Sequence, residues 1–130
     1  LFAVNYKIPV HFMSWTSQNA WLNELAERHP YAYKVMMSTA AAARKGIKDD
    51  DLIWVESEFG KVKGKVKVTE CIHPEVVAIA GVFGSWAQGK PVARGKGVHF
   101  NSLFALSRER MDPISTAADA CIRVKVYKAG

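Results

Sequence analysis

From Lys61 to Val68 the chain reads Lys-Val-Lys-Gly-Lys-Val-Lys-Val, with charged residues alternating against apolar residues or glycine at every step. A period of two is the period of a β-strand, whose successive side chains leave on opposite faces. The preceding "DLIWVESEFG" is rich in β-branched and aromatic residues and ends in a Phe59–Gly60 turn. Together they predict a β-hairpin with one face on a core and four lysines, Lys61, Lys63, Lys65 and Lys67, on the other.

The remaining segments fit around such a hairpin. Ile8 to Met13 is extended and mostly apolar, with Pro9 near its start, and predicts a strand. Asn19 then caps a helix whose Trp21, Leu22, Leu25 and Ala26 recur at helical spacing, closed by Arg28-His29-Pro30. Tyr33 to Met37 predicts a second short strand. Ser38 or Thr39 starts an alanine-rich helix that Gly46 stops. Val76 to Ala80 is strand-like, residues 81–99 form a glycine-rich loop, "NSLFALSRER" predicts a short capped helix, and Cys121 to Tyr127 a last alternating strand. About six strands with two or three short helices describe a small mixed β-barrel with helical crossovers.

At 130 residues the chain is sized for one domain, 1–130, and no apolar run approaches the roughly 18 residues that span a bilayer. It begins Leu-Phe-Ala without a Met or a signal-like region, which reads as a piece excised from a larger protein. Cys71 and Cys121 are too few for a four-thiolate cluster; a single disulfide is one reading, and buried free thiols are the expectation. The formal net charge of +6 favours anionic partners.

Candidate chemistry is sparse. His11, His29, His73 and His99 make no helical metal pair, and Asp49-Asp50-Asp51 directly before a strand reads as a turn. "GKPVARGKG" lacks the spacing and the Ser/Thr of a phosphate loop. The lysine ladder admits two readings, a nucleic-acid stripe or the solvated face of a half-buried hairpin that resists edge pairing. Two strand-to-helix seams remain. In "SWTSQNAWL" the polar run stands beside free N–H groups and a positive helix end, where an anion can bind, although plain capping explains it too. In "GKGVHFNSL" the glycines permit close backbone approach, and Asn101 opens the next element. One ligand touching both seams is the economical reading.

In this order the motifs resemble the C-terminal molybdopterin-dinucleotide-binding domain of the dimethyl sulfoxide reductase family of molybdenum or tungsten oxidoreductases. The segments that carry the resemblance are "TSQNAWLNEL", "AARKGIKDDDLIWVESEFG", "GKVKGKVKVTECIHPEVV", "GVHFNSL", "MDPIS" and "CIRVKVYKAG", which cover nearly the whole chain. The resemblance implies a mainly β fold with short helices, a six-stranded double-psi β-barrel. It implies a domain of a larger catalytic subunit that binds bis(molybdopterin guanine dinucleotide) carrying Mo or W, with any iron–sulfur cluster in other domains. The partners it implies are the remaining domains of that subunit, together with an electron-transfer subunit; it implies no nucleic acid and no direct membrane insertion.

The cofactor-binding residues carried over are Trp15, Thr16, Ser17, Gln18 and Asn19, with Ser38, His99 and Asn101; none is expected to be catalytic or to ligate metal. The chain departs from the family pattern at three places. Ser38 stands where many members have Asn, Asp50 replaces the Gly of a D-G-D turn and implies a different turn type, and "TAADAC" replaces an aromatic–lysine pair.

Overall fold

The alternating segment is the longest strand of the protein. In the computed structural model, which describes residues 1–118 and 120–130, β4 spans Lys61–Thr69 and pairs antiparallel with β3, Leu52–Glu56. Val62 and Val66 face inward at 8% and 0% exposure, while Lys61, Lys63 and Lys65 face solvent. Ser57 closes the hairpin: its hydroxyl oxygen accepts the N–H groups of Phe59 and Gly60, both at 3.1 Å. A Cβ on Gly60 would lie 2.0 Å from the carbonyl oxygen of Ser102, so glycine here lets the segment after the long loop press against the turn.

The other strands are β1 Phe2–Tyr6, β2 Val35–Ser38, β5 Val76–Ala80, β6 Ile122–Arg123 and β7 Lys125–Lys128, and the helices are α1 Ala20–Arg28 and α2 Thr39–Lys45. They form one curled sheet in the order β6-β1-β5-β2-β4-β3-β7, a half-barrel with few short helices. β1 runs parallel to β5 and β2 parallel to β4, and all other neighbours are antiparallel. Inside lies an apolar core that includes Ala3, Val35, Met37, Ile53, Val55, Val77, Ile79, Phe100 and Leu103. Each fully buried large side chain contributes about 1.5–3 kcal/mol. A smaller cluster of Ile8, Ala26, Ala32, Ala80, Val82 and Phe83 seats α1 and the glycine-rich loop at one end of the sheet. Among the described residues no helix is long and apolar enough to cross a membrane.

Both helices begin and end where the sequence indicates. Asn19 Oδ1 accepts from the N–H groups of Trp21 and Leu22 at 3.0 and 3.2 Å, and Ser38 Oγ accepts from Ala41 N–H at 3.1 Å. Gly46 ends α2 at φ 64°. Four expectations are corrected. The first strand lies at Phe2–Tyr6, where it finds β5, whereas Ile8 to Phe12 is loop and Met13 opens a 3₁₀ turn: Ile8 is buried in the smaller cluster without a sheet partner. "NSLFALSRER" is two 3₁₀ turns, Phe100–Leu103 and Arg108–Arg110, since burying both Phe100 and Leu103 needs only one tight turn. The last strand divides into β6 and β7 at Val124, whose N–H donates to the Leu1 carbonyl at 2.8 Å. Cys71 and Cys121 are exposed rather than buried.

The acidic run is a turn held by lysines. Asp49 meets Lys67 at 2.8 Å, Asp50 meets Lys34 at 2.6 Å, and Asp51 meets Lys128 at 2.9 Å. The Lys67 ammonium, and then the Val68 N–H, hold the Asp49 carboxyl below its usual range. Among the described residues no cluster of three or more His, Cys, Asp or Glu could hold a metal ion. Asp50 sits at φ 64°, the left-handed conformation that glycine adopts freely. Asp50→Gly is therefore expected to leave stability unchanged or raise it by up to about 1 kcal/mol, because the exposed Lys34 pair is worth little. Asp50→Val should lower it by about 1–2 kcal/mol, and thermal melts of the two variants measure both changes.

Candidate functional site

Where β1 ends, the chain turns away through Lys7, and the β1–β5 ladder is extended by the Gly81 N–H donating to the Tyr6 carbonyl at 3.1 Å. β5 then hands the chain to the glycine-rich loop. Between these exits lies a cavity of about 340 Å³ lined by residues 5–7, Met13, Ser14, residues 81–83, Ser85, Lys90, His99 and Asn101. It joins the two polar seams: Met13 and Ser14 come from the first, His99 and Asn101 from the second.

The first seam is a 3₁₀ turn, Met13–Thr16, entered with Met13 at φ 51°, a strained conformation for a side-chain-bearing residue at the cavity wall. Most of its polar side chains are engaged within the turn. Thr16 Oγ1 accepts the Phe12 N–H at 2.9 Å and meets His11 Nδ1 at 3.0 Å. Ser17 Oγ donates to the Ser14 carbonyl at 2.7 Å. His11 is buried against the edge of Phe83, with its Nε2 lacking a partner among the described residues. Burial lowers its pKa against the raising contact with Thr16, which keeps the ring neutral at pH 7.

Underneath lies Asn23, only 1% exposed, on the inner face of α1. Its Nδ2 donates to the carbonyls of Ser17 and Asn19 at 2.7 and 2.8 Å, and its Oδ1 accepts from the Tyr33 hydroxyl at 3.1 Å. Two further contacts tie this seam to the glycine-rich loop. Gln18 Oε1 accepts the Ala93 N–H at 2.9 Å, and Lys96 meets Glu27 of α1 at 2.6 Å. In the second seam His99 Nδ1 lies 2.8 Å from Ser102 Oγ, and the exposed Asn101 lines the cavity beside it.

Of the eight residues singled out from sequence, His99 and Asn101 line the cavity, and Gln18 braces its loop. Thr16, Ser17 and Asn19 build the turn that presents Met13 and Ser14, and Trp15 stands 85% exposed beside them. Ser38 is not brought to the cavity. It ends β2 beyond the Met37–Val77 pair, at the opposite end of β5 from Gly81, and is buried as the cap of α2. In the stretch "TAADAC", Asp119 lies outside the described residues.

Sequence reasoning missed Lys7, Lys90 and Ser14 at the cavity wall, and Asn23 beneath it. A lysine one residue past a strand end and another in a glycine-rich loop carry no periodic signal. Neither Lys7 nor Lys90 has a carboxylate partner among the described residues, so the cavity is electropositive. Two ammonium groups, two serine hydroxyls and two asparagine amides suit a phosphate and the edge of a heterocycle.

A larger cavity of about 840 Å³ lies elsewhere, lined by Lys45, residues 56–59, Phe104, Arg110 and residues 121–125. Neither seam reaches it. Lys45, Arg110, Arg123 and Lys125 there outnumber Glu56 and Glu58, with Arg110 meeting Glu58 at 2.8 Å, so the seams rather than the charge set the two cavities apart.

Comparison with known proteins gives a consistent picture. The profile of the molydopterin dinucleotide binding domain matches residues 1–120. A sulfite dehydrogenase subunit from Allochromatium vinosum is 34% identical over 91% of this chain and 13% of its own length. The molybdopterin-containing subunit of thiosulfate reductase from Salmonella typhimurium is 34% identical over 79% of this chain, again 13% of its own length. Among solved structures, acetylene hydratase from Pelobacter acetylenicus shares the fold with a TM-score of 0.74 at 17% identity, over 99% of this chain and 18% of that one. The chain thus spans about an eighth of the length of the curated relatives it matches.

Proposed function

The chain belongs to the molydopterin dinucleotide binding domain family, and on that footing we propose that the cavity between the two seams is where it holds the cofactor. Binding the dinucleotide is the role of this family. The protein that contains the chain is read as the catalytic subunit of a molybdenum or tungsten oxidoreductase carrying bis(molybdopterin guanine dinucleotide). When bound, that group supplies the redox chemistry of its metal.

The residues of this chain bind, orient and shield. Lys7 and Lys90 balance phosphate charge, Asn101, His99 and Ser14 direct hydrogen bonds to the pterin or phosphate edge, and Gln18 fixes the loop that closes the wall. Thr16, Ser17 and Asn19 act through the shape of their turn, and exposed Trp15 offers a ring to the ligand or to a neighbouring domain. Ser38 serves as a helix cap in this reading. The partners it requires are the remaining domains of the subunit, together with an electron-transfer subunit.

The same reading takes the sheet as a six-stranded double-psi β-barrel. β6 and β7, separated by Val124 alone, count as one strand that pairs with β1 at one edge and β3 at the other. Antiparallel neighbours in that ring are then β5–β2, β4–β3, β3–β7 and β6–β1, four in all, and a closed ring needs an even number.

One observation carries the proposal: residues about 90 apart in sequence, Ser14 and Asn101, face one electropositive cavity in a member of a cofactor-binding family. Asn101→Ala or Gln18→Ala in the full-length enzyme removes one hydrogen bond, to the ligand or to its wall, which weakens retention about 5- to 30-fold. Metal content by mass spectrometry and pterin content by fluorescence should both fall. Unchanged content in both variants overturns the assignment.

A further inference from the structure

The outer face of β3, β4 and β7 takes no part in the cavity, and it carries the lysine ladder. Three rows cross these strands in register: Lys65 with Leu52; Lys63, Trp54 and Tyr127; and Lys61, Glu56 and Lys125. The Lys61 ammonium lies 4.1 Å from the centre of the Trp54 ring and 5.1 Å from that of Tyr127. Lys63 stands 5.4 Å from the Trp54 ring, and Lys125 stands 5.8 Å from that of Tyr127. The rings are half-buried while all four lysines are exposed.

Lys34, Lys67, Lys96 and Lys128 each meet a carboxylate, whereas Lys61, Lys63, Lys65 and Lys125, like Lys7 and Lys90 at the cavity, meet none among the described residues. Glu56, the one acid within the rows, accepts the Tyr127 hydroxyl. The ammonium groups of Lys61, Lys63 and Lys125 thus stand over aromatic rings, none in an ion pair among the described residues, and with Lys65 they outnumber Glu56 four to one, so their fields add.

We infer that this face docks an extended acidic segment of a partner protein. Charge complementarity names the chemistry, since like-signed groups ordered in rows attract and register an array of carboxylates. Lysines already seated on rings lose less side-chain freedom when a partner binds. Their spacing, about 6–7 Å along β4, equals that of alternate residues on an extended chain. Single-stranded nucleic acid is the lesser fit because it stacks bases on exposed rings, and here ammonium groups cover Trp54 and Tyr127.

The test uses the full-length protein that contains this chain, with a poly-L-glutamate peptide and an oligothymidylate of equal charge as probes. Poly-L-glutamate should bind more tightly than oligothymidylate and weaken steeply with added salt. The triple variant Lys61→Gln/Lys63→Gln/Lys65→Gln should lose about tenfold or more in affinity, against less than about threefold for Arg44→Gln/Lys48→Gln/Arg108→Gln. Lys65 has no ring contact among the described residues, so Lys65→Gln alone separates binding from folding, with an expected loss of about two- to threefold. Equal losses in the two triple variants, no loss in Lys65→Gln, or tighter binding of oligothymidylate each overturn the inference. Cofactor content of the same preparations reads the cavity assignment separately.

Discussion

Asn23→Leu is expected to lower the unfolding free energy by about 3–5 kcal/mol and to leave the surviving protein without cofactor. Leucine keeps the branched outline of asparagine but is bulkier, so the loss comes from stranded polar groups and overpacking rather than from a void. The Asn23 amide satisfies the carbonyls of Ser17 and Asn19 and receives the Tyr33 hydroxyl, all around a side chain that is 1% exposed. An apolar replacement strands these partners in a place water reaches poorly, at about 1–3 kcal/mol for each fully unsatisfied group. Burial, aided by the charge of Glu27, pushes the Tyr33 phenol up to about 12, so it remains a donor across the physiological range. The defect should therefore be independent of pH between about 6.5 and about 10, the ordinary pKa values of histidine and tyrosine. Denaturant titration measures the stability. Metal content at a temperature where the variant is folded reports whether the Met13–Thr16 turn still presents its wall.

Gly84→Ala should be at least as damaging, at about 3–5 kcal/mol, by a different route. Gly84 sits at φ 83°, and a Cβ there would lie 2.1 Å from the backbone nitrogen of His99 and 2.3 Å from the carbonyl carbon of Val98. These are backbone atoms, so no side-chain rotation relieves the overlap. Gly84 N–H also donates to the Lys96 carbonyl at 2.7 Å, which pins the two arms of the loop together. Alanine must separate those arms, and His99 and Asn101 move away from the cavity as they part. Gly89→Ala is the matched control: nothing lies within 4 Å of its Cβ position, and melting should shift little. Equal melting temperatures for the two variants would refute the close-approach argument.

The legible parts of the fold were those whose pattern is local. The β3–β4 hairpin follows from alternation, and the two helices from Asn19, Ser38 and Gly46 acting as caps and stop. β1 was hidden because Phe-Ala-Val-Asn-Tyr has no marked period, and its parallel partner β5 lies more than 70 residues away. The break at Val124 depends on a bond to Leu1, at the other end of the chain.

The site divides in the same way. The polar seams were visible as departures from an apolar pattern, and the structure places Ser14 and Asn101 on one cavity. What each polar side chain does there was not visible. Asn23 sits among ordinary helical residues, and only the fold turns its amide toward the Ser17 carbonyl. Lys7 and Lys90 acquire meaning through the cavity that gathers them, since sequence separation hides their common field.

The central claim, that the cavity between the seams holds the dinucleotide, is tested most directly by an atomic-resolution structure of the full-length protein with its cofactor bound. The account predicts cofactor atoms within hydrogen-bond distance of Asn101 and of Lys7 or Lys90. Cofactor density that leaves these three residues untouched, or that sits in the larger cavity beside Arg110 and Arg123, would contradict it.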